Sequence, residues 1–240
     1  MIIEGAIAVK AAMDSKYSKV EIIYIDKDKH TSDVAFIVHE AYKCRVNVER
    51  VPREFIEQNA LGRTHGGIIR EVQQRRFQSV TSLLVKEEPF LALVEGVEDS
   101  YNLGYILRSL YAFGCDGVIL PYREWDFEDQ TMVKSSAGAS EFIPIHLTED
   151  LAVTLKTLHD NKFRIISAYR GNEPKEIYKT DMSKGPILVC IGGPLRGLSR
   201  EVLDNTDEFV YIPYDRDFRN ALNAAAATVV FASEVYRQRH

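Results

Sequence analysis

Four stretches of this 240-residue chain combine residue types and spacings that can do chemistry. In Glu95–Gly114 an apolar helical stripe of Ile106, Leu107, Leu110 and Phe113 is interrupted by Arg108, six residues after Asn102. An arginine beside such a stripe needs an anionic partner, either a ligand phosphate or carboxylate or a structural salt bridge. In Ile187–Ser199 a β-branched run enters a glycine-rich loop holding Gly192, Gly193 and Gly197. Glycines there let backbone approach a ligand closely or simply make a tight turn, and the absence of a following Gly-Lys-Ser/Thr excludes a P-loop. In Phe209–Ala227 an apolar run ends at Ile212-Pro213, and a polar loop leads into Leu222, Asn223 and four consecutive alanines. Small residues permit very close packing of a helix against a loop or another chain, or express helix propensity alone. Finally, Gly62–Phe77 carries Arg63, His65, Arg70, Arg75 and Arg76 against Glu71 only. Such a run binds a polyanion or forms a solvated charged face.

The elements that position these groups alternate. Phe90–Val94, Gly117–Leu120, Arg164–Ala168, Ile187–Ile191 and Phe209–Ile212 read as short apolar strands, with a weaker one at Phe142–Leu147. Helical patterns lie between them at Asn102–Phe113, Phe127–Ser135 and Glu149–Asp160, with a short turn at Ser199–Leu203 and a last helix from about Phe218 to Arg237. Asp99 or Ser100 is suited to cap the helix that carries Asn102, and Gly114 to end it. This order predicts a parallel sheet covered by helices on both faces, with ligands beyond the carboxyl ends of its strands. The loops after Val94, Ala168, Ile191 and Ile212 are therefore the places to look. Before the charged linker Lys86–Pro89, strands at Glu21–Ile25, Arg45–Val51 and Gly66–Val72 and helices at Ser32–Tyr42 and Pro52–Ala60 form a smaller α/β unit. Serine and proline open those two helices. The expected domains are residues 1–86 and 87–240.

Composition narrows the class. Hydrophobic residues make up 45% and charged residues 27%, which excludes a disordered or fibrous chain. Residues 1–86 hold 14 Lys/Arg against 11 Asp/Glu, so the net charge of −5 is concentrated in the remainder. A basic patch on an acidic protein still binds a polyanion, because the local field governs the encounter. No apolar run has the length of a membrane span, and the N-terminus lacks a signal-peptide pattern. Cys44, Cys115 and Cys190 form neither a disulfide framework nor a metal knuckle and read as reduced cytoplasmic thiols. The six histidines are scattered, so no metal site is expected.

In this order and spacing, Asn102…Arg108, the 192–197 glycine loop, Ile212-Pro213…Leu222-Asn223 and Tyr236–Arg239 resemble the motifs of the SpoU/TrmH branch of the SPOUT RNA methyltransferases. The likeness covers residues 90–240. The first unit is similar to the L30e-like substrate-binding domain of that family, with Gly62–Gly67 matching its His–Gly segment. The resemblance implies a trefoil knot in the C-terminal sheet, a homodimer, S-adenosylmethionine as methyl donor, and methylation of a ribose 2′-hydroxyl in RNA, with large-subunit ribosomal RNA ahead of transfer RNA. It assigns Arg108, Asn102 and Asn223 to catalysis and Gly192, Gly193, Gly197, Ile212 and Leu222 to the cofactor. The basic set Arg63, His65, Arg70, Arg75 and Arg76 would dock the RNA.

Two positions depart from the family pattern. Pro194 stands where an acidic residue is usual, and Ala221 where a serine is usual. They favour a competing reading as an RNA-binding or ribosome-assembly factor without activity. A small-molecule enzyme with an ordinary nucleotide-binding sheet ranks last, because the first strand–helix junction lacks Gly-x-Gly-x-x-Gly.

Overall fold

A computed structural model describes residues 2–60, 62–63, 65–73, 75–122, 130–170, 173–217 and 220–240. In chain order the elements are β1 (Ile2–Glu4), α1 (Ala6–Met13), β2 (Val20–Asp26), α2 (Ser32–Lys43), β3 (Asn47–Val51), α3 (Arg53–Asn59), β4 (Ile68–Val72), β5 (Phe90–Glu95), α4 (Ser100–Ala112), β6 (Gly117–Pro121) and α5 (Gln130–Ser135). They continue with β7 (Ile145–Thr148), α6 (Leu151–Asp160), β8 (Arg164–Ala168), β9 (Lys175–Glu176), β10 (Ile187–Gly192), α7 (Arg200–Asp204), β11 (Glu208–Tyr211) and α8 (Ala224–Arg239). The chain forms two compact units: Met1–Arg76 with Asp126–Phe142, and Phe77–Trp125 with Ile143–His240.

The first unit is a four-stranded mixed sheet in the order β1-β4-β2-β3. Ile3, Val20, Ile23, Ile25, Ile68 and Val72 line one face and pack with Ala8, Val9 and Ala12 of α1 and Val34, Ile37 and Ala41 of α2. Neither β1 nor α1 is among the elements anticipated above: three residues are too few for a periodicity, and α1 is apolar on nearly every side. Thr31, not Ser32, caps α2, its side chain accepting from the Val34 N–H. Pro52 occupies the N-cap of α3 rather than its first turn.

Arg70 shares the core face of this sheet, paired in register with Ile3 and Ile23. It is 0% exposed, and its guanidinium nitrogens find no hydrogen-bond partner among the described residues. Burial pulls its pKa down to about 10, against the opposing pull of Glu141. Arg75 is also buried, shifted down by desolvation, and donates to the Ser140 carbonyl. The Gly62–Phe77 run is therefore not one basic surface. Alternation along β4 sends Arg70 to the core with Ile68 and Val72, and Arg75 is buried in the segment that follows the strand.

The second unit is a seven-stranded, all-parallel sheet in the order β7-β6-β5-β10-β8-β11-β9. Its central strands β5 and β10 are buried along nearly their whole length, as near-continuous apolar runs require. Asp99 caps α4 by accepting the Asn102 N–H at 2.9 Å, and Gly114, at φ +78°, stops it. The last helix begins at Ala224, later than about Phe218, because Asn223 caps it; Phe218 itself lies outside the described residues, as do residues 127–129 of the helix expected at Phe127–Ser135. Ala224, Thr228, Phe231 and Val235 form its buried stripe against α4 and β10. Tyr236–Arg239 closes the fold: Gln238 donates to the Thr180 carbonyl at 2.9 Å, and Arg239 donates to the Glu88 and Gly185 carbonyls at 2.7 Å each. The charged segment at Lys86–Pro89 is thus held within this unit, with Lys86 also 2.5 Å from Asp116.

Candidate active site

Every strand of a parallel sheet presents its last peptide groups and the following loop at one edge, and here three loops converge there. Gly96, at φ +69°, turns the chain after β5, and the loop after β10 folds back on itself. Gly193 and Gly197 pair as an isolated bridge, the Gly197 N–H donating to the Gly193 carbonyl at 3.1 Å. The fit excludes side chains. A Cβ on Gly193 would stand 1.9 Å from the Gly96 carbonyl oxygen, and one on Gly192 2.5 Å from the Gly197 carbonyl carbon. Glu95, the last residue of β5, accepts the Ser199 N–H at 2.7 Å and fixes where the glycine loop rejoins the body.

The loops after β8, β10 and β11 and the start of α8 enclose a cavity of about 320 Å³. Ile191, Leu198, Val210, Ile212, Leu222 and Phe231 supply apolar walls, and Gly192, Gly193 and Gly197 supply bare backbone. All five residues assigned to the cofactor from the sequence therefore line one cavity. Pro194 and Ala221, the two departures from the family pattern, line it as well. Pro194 contributes neither a carboxylate nor an N–H, and Leu195 beside it is 89% exposed.

The residues assigned to catalysis fall in different surroundings. Asn223 lies between Leu222 and Ala224, both cavity residues, and its Oδ1 accepts the Ala226 N–H at 2.8 Å as the N-cap of α8. Asn102 is half-buried in the first turn of α4, and Arg108 is exposed on the same helix; neither lines the cavity. Arg108 makes no hydrogen bond or ion pair among the described residues, so the structural salt bridge considered above is absent from that set. Tyr101 and Tyr105 stand exposed at the i−7 and i−3 positions of its face.

Of the basic run, Arg63 and Arg76 are exposed, whereas Arg70 and Arg75 are buried. His65 is buried too, its Nδ1 accepting the Gly67 N–H at 3.1 Å, which locks the turn before β4. Three cavity groups escaped the sequence reading by name. Topology points to the loop after Ala168, but nothing in its composition singles out Tyr169 and Arg170, and Tyr214 falls within the polar loop between Pro213 and Leu222. Arg219 of that loop lies outside the described residues. Among the described residues no group of three His, Cys, Asp or Glu side chains is placed to hold a metal ion, and no helix is long and apolar enough to cross a membrane.

A parallel sheet with a glycine-walled cavity at its carboxyl edge defines a nucleotide-type binding fold. The chain belongs to the SpoU rRNA methylase family, whose model matches residues 89–233. A second model, RNA 2′-O ribose methyltransferase substrate binding, matches residues 2–78. A putative TrmH family tRNA/rRNA methyltransferase of Staphylococcus epidermidis is 31% identical over 246 residues, covering 100% of this chain and 96% of the relative. The 23S rRNA (guanosine-2′-O-)-methyltransferase RlmB of Photorhabdus laumondii is 29% identical, covering 99% and 98%. Among solved structures, the SpoU methyltransferase AviRb of Streptomyces viridochromogenes, in complex with AdoMet, superposes with a TM-score of 0.83 at 19% identity, covering 100% of this chain and 90% of that one.

Proposed function

We propose that this protein transfers a methyl group from S-adenosylmethionine to a ribose 2′-hydroxyl of RNA, with large-subunit ribosomal RNA as the substrate. The observation that carries this reading is the convergence of Gly192, Gly193, Gly197, Ile212 and Leu222 on one cavity in a chain of the SpoU family. The cavity fits the donor in kind: apolar walls suit an adenine ring, and the glycine loop lines it with bare backbone that can bond polar atoms. When bound, the donor would supply a sulfonium-activated methyl carbon, to which the ribose oxygen bonds as the C–S bond breaks, the thioether leaving and the hydroxyl proton passing to solvent. The protein's contribution is alignment and exclusion of water, effects that account for much of the acceleration of such a displacement.

Arg108 is the residue best suited to meet the RNA. Its role is to hold the phosphate beside the target ribose and to stabilise charge on the hydroxyl oxygen. Asn102, one helix face away, orients the same strand. Asn223 holds the start of α8 against the cavity, and its side-chain NH₂ remains for substrate. Arg63 and Arg76, the exposed members of the basic run, contact phosphates of the docked RNA. The tyrosine-lined face of α4 around Arg108 supports a homodimer, and the central insertion of β10 between β5 and β8 supports a threaded, knotted C-terminal region. Free thiols at Cys44, Cys115 and Cys190 support a reducing, cytoplasmic setting.

Titration calorimetry of the purified protein and of Arg108→Ala tests the assignment. Both should bind S-adenosylmethionine with affinities within about threefold of each other, while the variant transfers about 100-fold less methyl to RNA. Unchanged transfer removes Arg108 from catalysis. Pro194 and Ala221 favour the second reading, an RNA-binding assembly factor; it is supported if the wild-type protein binds RNA but no donor.

A further inference from the structure

A second cavity, of about 400 Å³, adjoins the first and shares Arg170, Tyr211 and Tyr214 with it. Pro174, Pro213, Arg216 and Asp217 complete its wall. Where the donor cavity is apolar, this one presents two guanidinium groups against one carboxylate. Arg170 is the ordered member. Its guanidinium lies over the Tyr214 ring at 4.1 Å and donates from one Nη to the Ile212 carbonyl at 3.3 Å. Tyr214 is itself anchored, its hydroxyl accepting the Leu222 N–H at 2.9 Å. Ring and carbonyl therefore hold the plane of the Arg170 guanidinium, and its remaining N–H groups have no partner among the described residues. A cation fixed on one face and unpaired on its edge is arranged to receive an anionic oxygen.

We propose that this cavity is an anion subsite of the reaction centre and that Arg170 is its positioning residue. It holds either the carboxylate of the donor's methionyl group or a phosphate of the RNA strand entering beside the donor. The proposal rests on the methyltransferase reading above.

The test is calorimetry of wild type, Arg170→Ala and Arg170→Lys with two probes, S-adenosylmethionine and 5′-methylthioadenosine, which lacks the amino-acid group. A third arm measures binding of a ribosomal RNA transcript at several salt concentrations without donor. Arg170 is exposed, so the variants should keep the wild-type melting temperature. If the anion is the carboxylate, Arg170→Ala binds S-adenosylmethionine at least about tenfold more weakly and methylthioadenosine as wild type does, with partial rescue by lysine. If it is an RNA phosphate, both small probes are unaffected and the slope of log affinity against log salt falls by about one contact. Equal loss for both small probes makes Arg170 a cavity wall only and overturns the proposal, as does no change in any arm. Failure of the wild type to bind either small probe overturns the methyl-donor reading instead, and the RNA arm then decides Arg170 by itself.

Discussion

At the scale of single residues, Asn223 and Arg70 show how one side chain is committed to the fold before it is offered to chemistry. Asn223 Oδ1 is occupied by the Ala226 N–H, so removing it releases a helix cap next to the donor cavity. Asn223→Ala should lower stability by about 1 kcal/mol in urea denaturation. Asn223→Asp keeps the cap, so it should keep the stability; any loss of methyl transfer in that variant then reports the exchange of the amide's NH₂ for a carboxylate oxygen, not the loss of the cap. Arg70 is the opposite case, a charge enclosed in an apolar face with its pKa drawn down to about 10 and no hydrogen bond among the described residues. Removing one of two buried opposite charges leaves the other uncompensated and commonly costs about 3–5 kcal/mol. Arg70→Met, which leaves the Glu141 carboxylate buried, should therefore lower the thermal midpoint, whereas an unchanged or higher midpoint would show that the Arg70 charge does not support the fold.

At the scale of elements, the glycine loop after β10 packs against the turn after β5 and so fixes one wall of the cavity. Gly193→Ala forces the Cβ into the Gly96 carbonyl, so backbone must shift. Stability should fall by about 1–3 kcal/mol, and calorimetry should find donor binding lost. Binding at wild-type affinity would mean that the glycine loop does not shape the site. The same elements show what the sequence makes legible. The five parallel strands with long apolar runs, the capping of α4 by Asp99, and the cavity loops all follow from local pattern, because burial on both faces and a carboxylate before a helix leave a direct imprint. The elements β1, α1 and β9 leave none, being too short or too uniformly apolar. The fate of Arg70 is hidden for a different reason: a run of charges reads as surface until the pairing of β4 with two neighbours fixes which residues face the core, and the burial of Arg75 depends on the distant Ser140 carbonyl. Likewise no local signal places residues 130–142 in the compact unit formed with the N-terminal sheet.

At the scale of the whole molecule, buried thiols set an alkaline limit. Desolvation pushes Cys115 and Cys190 up to about 12, from 9.0. Groups whose folded pKa is raised contribute stability that is complete below the unfolded pKa and lost as pH rises toward the folded one. Unfolding should therefore need less urea at about pH 10 than at about pH 8, and the Cys115→Ala, Cys190→Ala double variant should show a flatter profile between them. Arg70, shifted the other way, opposes this only above about 10. A stability that does not decline from about pH 8 to about pH 10 would contradict the burial of the two thiols. The exposed Tyr101 and Tyr105 flanking Arg108 give a second expectation: light scattering should find twice the mass of one 27.3 kDa chain, and aspartate substitutions of both tyrosines should shift it toward the monomer.

The most direct measurement is to incubate the protein with methyl-labelled S-adenosylmethionine and ribosomal RNA lacking its modifications, digest the RNA to nucleosides and identify the labelled product. The expected product is a 2′-O-methylnucleoside, formed by the wild type and lost with Arg108→Ala. Label on a base, or no transfer by a protein that binds both donor and RNA, would contradict ribose methylation by this site.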